Sequence, residues 1–379
     1  MSSQAIFVYD ENYKKYDFGP VYIFNPNRTK LTLELLKQLK VINENISVVK
    51  PDVDAEKYLG YIHTAEYIEG IRDVSSDTLK SAEHLGIFTA QGIYDAALVR
   101  VAGTLTAAKA IVEGKAKVAF NFGGGFHLAY RDKGSGFNVF NDVALAVKFI
   151  QRNYNIRRIA IIDFDAHHFI GTQKIFYSDP TVLTISLHES GHFLAPGTGE
   201  IDEIGLGPGR GFNVNIPLPI DTYDEIYLYA FEKLVIPFLE SFKPELVIQV
   251  WGVDTHYLDP LGHLQLSTEC YEKISARLKE ELEKINNGKT LILGGGGYNI
   301  GVTPRAWSLI FGASLGLKVP DKVPKEWLDL DASLKLFDIT RMRDERTPSI
   351  DKTRKKALSV FVEKLVKRIT EIFTPYHDL

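Results

Sequence analysis

Asp165 and His167 stand two residues apart in "IIDFDAHHFIG", residues 161–171, where an apolar run gives way to polar residues. At an extended strand end, side chains two apart point the same way, so one carboxylate and one imidazole share a face. Charged groups placed directly after an apolar strand are costly to bury unless paired or metal-bound. Asp254 closes a later apolar run and offers a third ligand. Two carboxylates and an imidazole suit zinc with a position left open for water, and the same donors admit iron or cobalt. Alternatively, D-x-D-x-H only caps a helix and makes local hydrogen bonds. Spacing leaves both readings open.

Two further stretches carry chemistry-bearing residues. "FGGGFHLAYRDKGSGFNVFND", residues 122–142, brackets His127 and Leu128 with glycine clusters, and "GGGGY" ends in Tyr298. The elements that must position them are short apolar runs at 5–9, 118–122, 158–165, 181–187, 246–252 and 290–297. Helical patterns at 91–113, 142–153, 223–242, 270–285 and 304–315 lie between them. Continuous apolar strands separated by helices predict an α/β protein, a parallel sheet covered on both faces. Ligands of such sheets bind beyond the strands' carboxyl ends, where Asp163, Asp165, His167, Asp254 and Tyr298 all fall. The irregular segment after Val319 and an amphipathic helix near 355–373 are expected to pack on this core, within one domain spanning 1–379.

Composition limits the alternatives. The 379 residues are 45% hydrophobic and 24% charged, ordinary for a globular chain. A net charge of -4 gives no nucleic-acid footprint. One cysteine, Cys270, excludes an intramolecular disulfide framework and a cysteine-based zinc site. The first 18 residues show no signal pattern and no run reaches membrane-span length, so a cytoplasmic protein without membrane attachment is expected.

With "GGGFH", "SGFNVFND", "IDFDAHH", "TISLHE", "APGTGE", "VWGVDTHYLDPLG" and "LGGGGYN" in this order, the chain resembles the histone deacetylase family. The likeness covers roughly residues 17–316. It points to the prokaryotic branch that includes acetoin-utilisation proteins and acetylpolyamine amidohydrolases. The resemblance implies the arginase/deacetylase fold, with a central, mainly parallel sheet, and hydrolysis of an acylated amine such as acyl-lysine or acylpolyamine. It implies a metal held by Asp165, His167 and Asp254, with Tyr298 polarising the substrate carbonyl and His127 paired to Asp163. It further implies a structural potassium or sodium site at Asp163, Asp165, His167, Ser186 and Leu187. Arg28 matches an arginine lining an internal channel, with a surface ion pair as its rival. A homo-oligomer is compatible with the family.

Three departures stand out. The family's second histidine, the main general acid/base, is replaced by Leu128, and its carboxylate partner by Ile170, with Phe169 before it. One dyad is lost as a unit. A frequent aromatic before "PGTG" is Ala195, while Gly136 and Phe137 keep the opposite tunnel wall and Leu261 completes it. A roomier, more apolar pocket is expected, with Leu128 and Ile170 both facing it; local repacking is the alternative. Tyr22 and Ile23 replace the family's frequent His-Pro, so the rim should differ. His168 is expected to support His167. His188, His192 and His256 match no catalytic position and are expected at the rim or surface, with His192 or His256 the candidates to replace the missing base. These features leave two functions open: a metal-dependent deacylase, or a metal-binding pseudoenzyme serving as acyl-group binder or complex subunit. An arginase-like ureohydrolase would need more ligands for two metals than the sequence offers.

Overall fold

A computed structural model of the chain describes residues 5–77, 82–88, 90–345 and 348–379. Met1–Gln4, the start of the N-terminal stretch read above, lie outside them. Eight strands form one sheet: β1 (Ala5–Val8), β2 (Ile46–Val49), β3 (Val118–Asn121), β4 (Ile159–Asp163), β5 (Val182–Glu189), β6 (Asn213–Leu218), β7 (Leu246–Val250) and β8 (Thr290–Leu293). Their order is β2-β1-β3-β8-β7-β4-β5-β6. Every pairing is parallel, so the sheet is wholly rather than mainly parallel.

Alternation along the strands builds two cores. Phe7, Phe120, Ile162, Ile185 and Ile292 face one side, packed against helices Arg28–Gln38, Thr268–Asn286, Thr303–Leu315 and Lys352–Phe373. Ile6, Val8, Ala119, Ile161 and Ile248 face the other, under Ala65–Ser76, Ile93–Val112 and Asp142–Asn153. Burial on both faces is why the strands read as unbroken apolar runs. The last helix buries Leu358, Val362, Leu365, Val366, Ile369 and Phe373 in the first core.

Strands β2 and β6 are absent from the sequence reading. Both are edge strands. "ISVV" is short and half exposed, and "NVNIPL" carries Pro217, tolerated where a strand has only one neighbour. The helical pattern at 223–242 resolves into Asp224–Ala230, a π-helical turn Phe231–Val235, and Ile236–Phe242. Pro237 lies just after that turn, where its missing N–H would otherwise break the α-helical ladder.

Candidate active site

The carboxyl ends of the four neighbouring strands β3, β8, β7 and β4 supply the site. Past β4 the chain places Asp165 and His167, and past β7 it places Asp254. His167 Nδ1 lies 2.8 Å from Asp254 Oδ2 and 3.0 Å from Asp165 Oδ1. One donor atom from each of the three lies within 4.8 Å of the others. Neither carboxylate is free to turn away. Asp165 Oδ2 accepts the Gly296 N–H at 2.6 Å, and Asp254 Oδ1 accepts the Ala166 N–H at 2.8 Å.

These approaches explain the glycines. A Cβ on Gly296 would lie 2.0 Å from Asp254 Oδ2, and one on Gly252 2.2 Å from Asp165 Oδ2. The strand expected over 290–297 therefore stops at Leu293, and the glycines wrap the ligands instead.

The electrostatics fit a cation. Burial and the Asp165 charge push Asp254 up to about 7. Burial opposes ionisation of Asp165 too, yet His127 and His167 hold it below the usual carboxylate range. Two buried carboxylates share one imidazole and cannot both ionise cheaply without more positive charge. A divalent ion is what this donor set fits.

His127 sits beside them. Its Nδ1 is 2.9 Å from Asp163 Oδ2, and its Nε2 is 3.9 Å from Asp165 Oδ2. Burial alone would lower its pKa, but Asp163 and Asp165 outweigh it and hold it at about 9. Burial also raises Asp163, to about 6. Tyr298 is positioned through its N–H, donated to Asp259 Oδ2 at 2.7 Å. Burial, then the charges of Asp254 and Asp165, keep its phenol protonated.

His127, Leu128, Asp165, His167 and Tyr298 open onto one cavity of about 190 Å³, which Gly136, Phe137, Ala195 and Leu261 also line. Phe88 stands at its mouth, 37% exposed, with its ring 5.2 Å from Phe137 and 4.6 Å from Tyr22.

Several expectations need correction. Ile170 does not line the cavity. It is buried at the start of helix Ile170–Phe176, where the next residue, Gly171, packs so closely on the 128–129 backbone that an added Cβ would lie 2.5 Å from Leu128 O. Close backbone packing there hides the side chain. Arg28 makes no surface ion pair; it is 4% exposed, and its Nη1 donates to Gly295 O and Gly297 O at 3.1 and 2.8 Å. It thus braces the glycine turn that carries Tyr298. His168 turns away from His167, bonding Thr198 Oγ1 at 2.7 Å and Gln173 Oε1 at 3.0 Å. His188 and His256 are fully buried rather than at the rim. His188 bonds Ser186 Oγ, and His256 Nε2 lies 2.8 Å from Asp344 Oδ2. His192 is exposed beside Glu200, and neither it nor His256 reaches the cavity.

The sequence reading misses the groups that hold the loops. Asp142 accepts the N–H groups of Gly125 and Phe126, and Asn141 Nδ2 donates to His127 O and Ala129 O. Asn141 Oδ1 also caps the following helix through Ala144 N–H, and a polar pair opening a helix is the signal that could have found both.

An all-parallel sheet with an Asp–His–Asp cluster beyond its central strands defines an α/β protein of the arginase/deacetylase fold. A model of the histone deacetylase domain matches residues 22–314, and the chain belongs to that family. It is similar to acetoin utilization protein AcuC of Bacillus subtilis (strain 168), 37% identical over 332 residues, 86% of this chain and 85% of the relative. The Staphylococcus aureus (strain COL) protein of that name is 38% identical over 339 residues, 86% of each. That of Staphylococcus xylosus is 34% identical over 385 residues, 98% of this chain and 99% of the other. These likenesses support a deacetylase-type hydrolase. Among the described residues, no helix is long and apolar enough to cross a membrane.

Proposed function

We propose that the chain hydrolyses the amide bond of an acylated amine, of the acyl-lysine or acylpolyamine type, with a metal held by Asp165, His167 and Asp254. The clustering of these three, two of which line one cavity with Tyr298, carries the reading. Zinc suits the donors best, and iron or cobalt fits them too. Bound there, a divalent ion supplies a Lewis acid and an acidified water. The Tyr298 phenol donates to the substrate carbonyl oxygen as negative charge builds on it. His127, oriented by Asp163 through Nδ1, would take a proton from the attacking water at Nε2 and give it to the amine nitrogen as the carbonyl carbon–nitrogen bond breaks. Leu128 offers no second base, and general acid–base assistance contributes roughly 100- to 10,000-fold. Turnover is therefore slow. Asp163, Asp165, His167, Ser186 and Leu187 are proposed to hold a potassium or sodium ion; Asp163 and Ser186 are register partners on β4 and β5, which supports it.

The test is amine release from acetyl-lysine peptides, longer acyl-lysines and acetylpolyamines by zinc-loaded protein and by Tyr298→Phe. Slow release by the wild type, lowered further in Tyr298→Phe at unchanged metal content, is expected. Leu128 favours one rival, a metal-binding acyl-group binder or complex subunit without turnover. Tight amide binding with no release from any substrate would establish it.

A further inference from the structure

We propose that Asn138 is a specificity-determining residue, whose carboxamide Nδ2 selects acyl groups carrying a hydrogen-bond acceptor beyond the amide carbonyl. The proposal rests on the acylated-amine reading of the cavity. Asn138 lines the cavity and is 8% exposed. Its Oδ1 accepts the Leu128 N–H at 3.0 Å, which fixes the two ends of the carboxamide. Its backbone N–H and C=O are both paired with Ser135, at 2.8 and 3.1 Å. No group among the described residues bonds its Nδ2.

Position tells which part of a substrate it meets. Leu128 directly follows His127, whose Nε2 is 3.9 Å from Asp165 Oδ2. Asn138 is therefore held against the backbone beside His127, close to the Asp165–His167–Asp254 cluster, where the acylated-amine reading puts the acyl group. The side chains of Leu128 and Ala195, which line the same cavity, offer no acceptor. A plain alkyl chain filling the space strips water from Nδ2 and leaves a buried donor unpaired, which is costly. A site with a fixed polar group discriminates against the analogue lacking its partner far more than against one methylene more or less. A ketone or hydroxyl on the third acyl carbon satisfies Nδ2 and keeps the rest of the chain apolar.

The test reads binding, so it does not depend on turnover. Peptides carrying butyryl-, 3-oxobutyryl- and 3-hydroxybutyryl-lysine are titrated by calorimetry into zinc-loaded wild type, Asn138→Asp and Asn138→Ala, with folding checked by thermal unfolding. In the wild type both oxygen-bearing amides bind at least tenfold tighter than butyryl. Asn138→Asp keeps an acceptor for the Leu128 N–H but loses the donor. It should lose the 3-oxobutyryl preference and keep that for 3-hydroxybutyryl, whose hydroxyl can donate. Asn138→Ala should lose both, and decides the matter if Asn138→Asp does not fold. Equal affinity of the three amides in the wild type overturns the proposal alone. So does a uniform loss in the variants with ratios unchanged, the result expected of a group that only holds Leu128 or serves the carbonyl. Failure of all three to bind zinc-loaded protein overturns the acylated-amine reading and the proposal with it.

Discussion

His127 Nδ1 lies 2.9 Å from Asp163 Oδ2, and the next residue in the chain is Leu128, on the wall of the same cavity. One imidazole–carboxylate pair is complete beside the Asp165–His167–Asp254 cluster, and the place next to it is hydrocarbon. Ile170 is buried outside that cavity, at the start of the following helix. On the proposed reading Leu128 and Ile170 stand where a second such pair would be, and, being apolar, neither leaves an unpartnered buried polar group.

Restoring the pair should raise turnover. Leu128→His with Ile170→Asp is expected to gain tenfold or more, and Leu128→His alone less, since its ring would lack an orienting carboxylate. Ile170→Asp alone buries an unpaired charge and should cost about 3 kcal/mol of stability. Steady-state rates at verified metal content, alongside denaturant midpoints, check all three. No gain in the double variant would show that another group supplies the base.

The metal should depend on every member of the cluster. Asp254→Ala is expected to lose stoichiometric zinc, as measured by elemental analysis after gel filtration. Chelation should lower the wild-type melting temperature, because Asp165 and Asp254 then face each other across a single imidazole. Full zinc retention by Asp254→Ala would remove the proposed centre.

Pocket width is a separate matter. Unsubstituted acyl-lysines longer than acetyl should bind at least as well as acetyl, since each methylene that fits adds about 0.8 kcal/mol and so offsets the cost of covering Asn138 Nδ2. Ala195→Phe should abolish the advantage of the longer chains and spare acetyl. A steady fall in wild-type affinity from acetyl to butyryl to octanoyl would count against the open wall.

Asp344 gives a pH prediction. Its carboxylate accepts from Thr268 N and Oγ1, pairs with Arg305 Nη2 at 3.2 Å, and lies 2.8 Å from His256 Nε2. Burial opposes its charge, but His256 and Arg305 hold its pKa well below the usual value. A depressed folded-state pKa contributes stability above the unfolded value near 4, lost as pH falls through the folded one. Asp344→Asn should cost about 3 kcal/mol at neutral pH. The gap between variant and wild type should narrow below about pH 4. Urea unfolding between pH 2 and 7 measures it, and a constant gap would refute the assignment.

Much of the cluster was legible from the order of its motifs, since spacing alone left a helix cap as the alternative and Asp165 and His167 lie past the end of β4 at Asp163. Asp165 and His167 two apart, and Asp254 after its own apolar run, are features a single segment displays. The central strands were legible for the same reason, whereas Pro217 and the half-exposed "ISVV" hide the two edges. Asn138 and Asp259 were not legible, and Asp142 was marked only as one of a polar pair opening a helix. Each acts by hydrogen bonding to the backbone of another segment, at Leu128, Tyr298 and Gly125, and such bonds leave no periodic mark. His256 was misplaced for a related reason: its partner Asp344 lies 88 residues away, in the irregular tail.

The position of β8 between β3 and β7 has a consequence for how the chain acquires its shape. The final strand to leave the ribosome fills a gap at the middle of the sheet. Until residues 290–293 emerge, β3 and β7 each present a bare edge, and the neighbouring strands remain two separate halves. Assembly must wait for this distant insertion, which predicts slow, non-local folding and a nascent chain prone to mispairing. A fragment ending before Thr290 would lack the keystone, along with the turn that carries Tyr298.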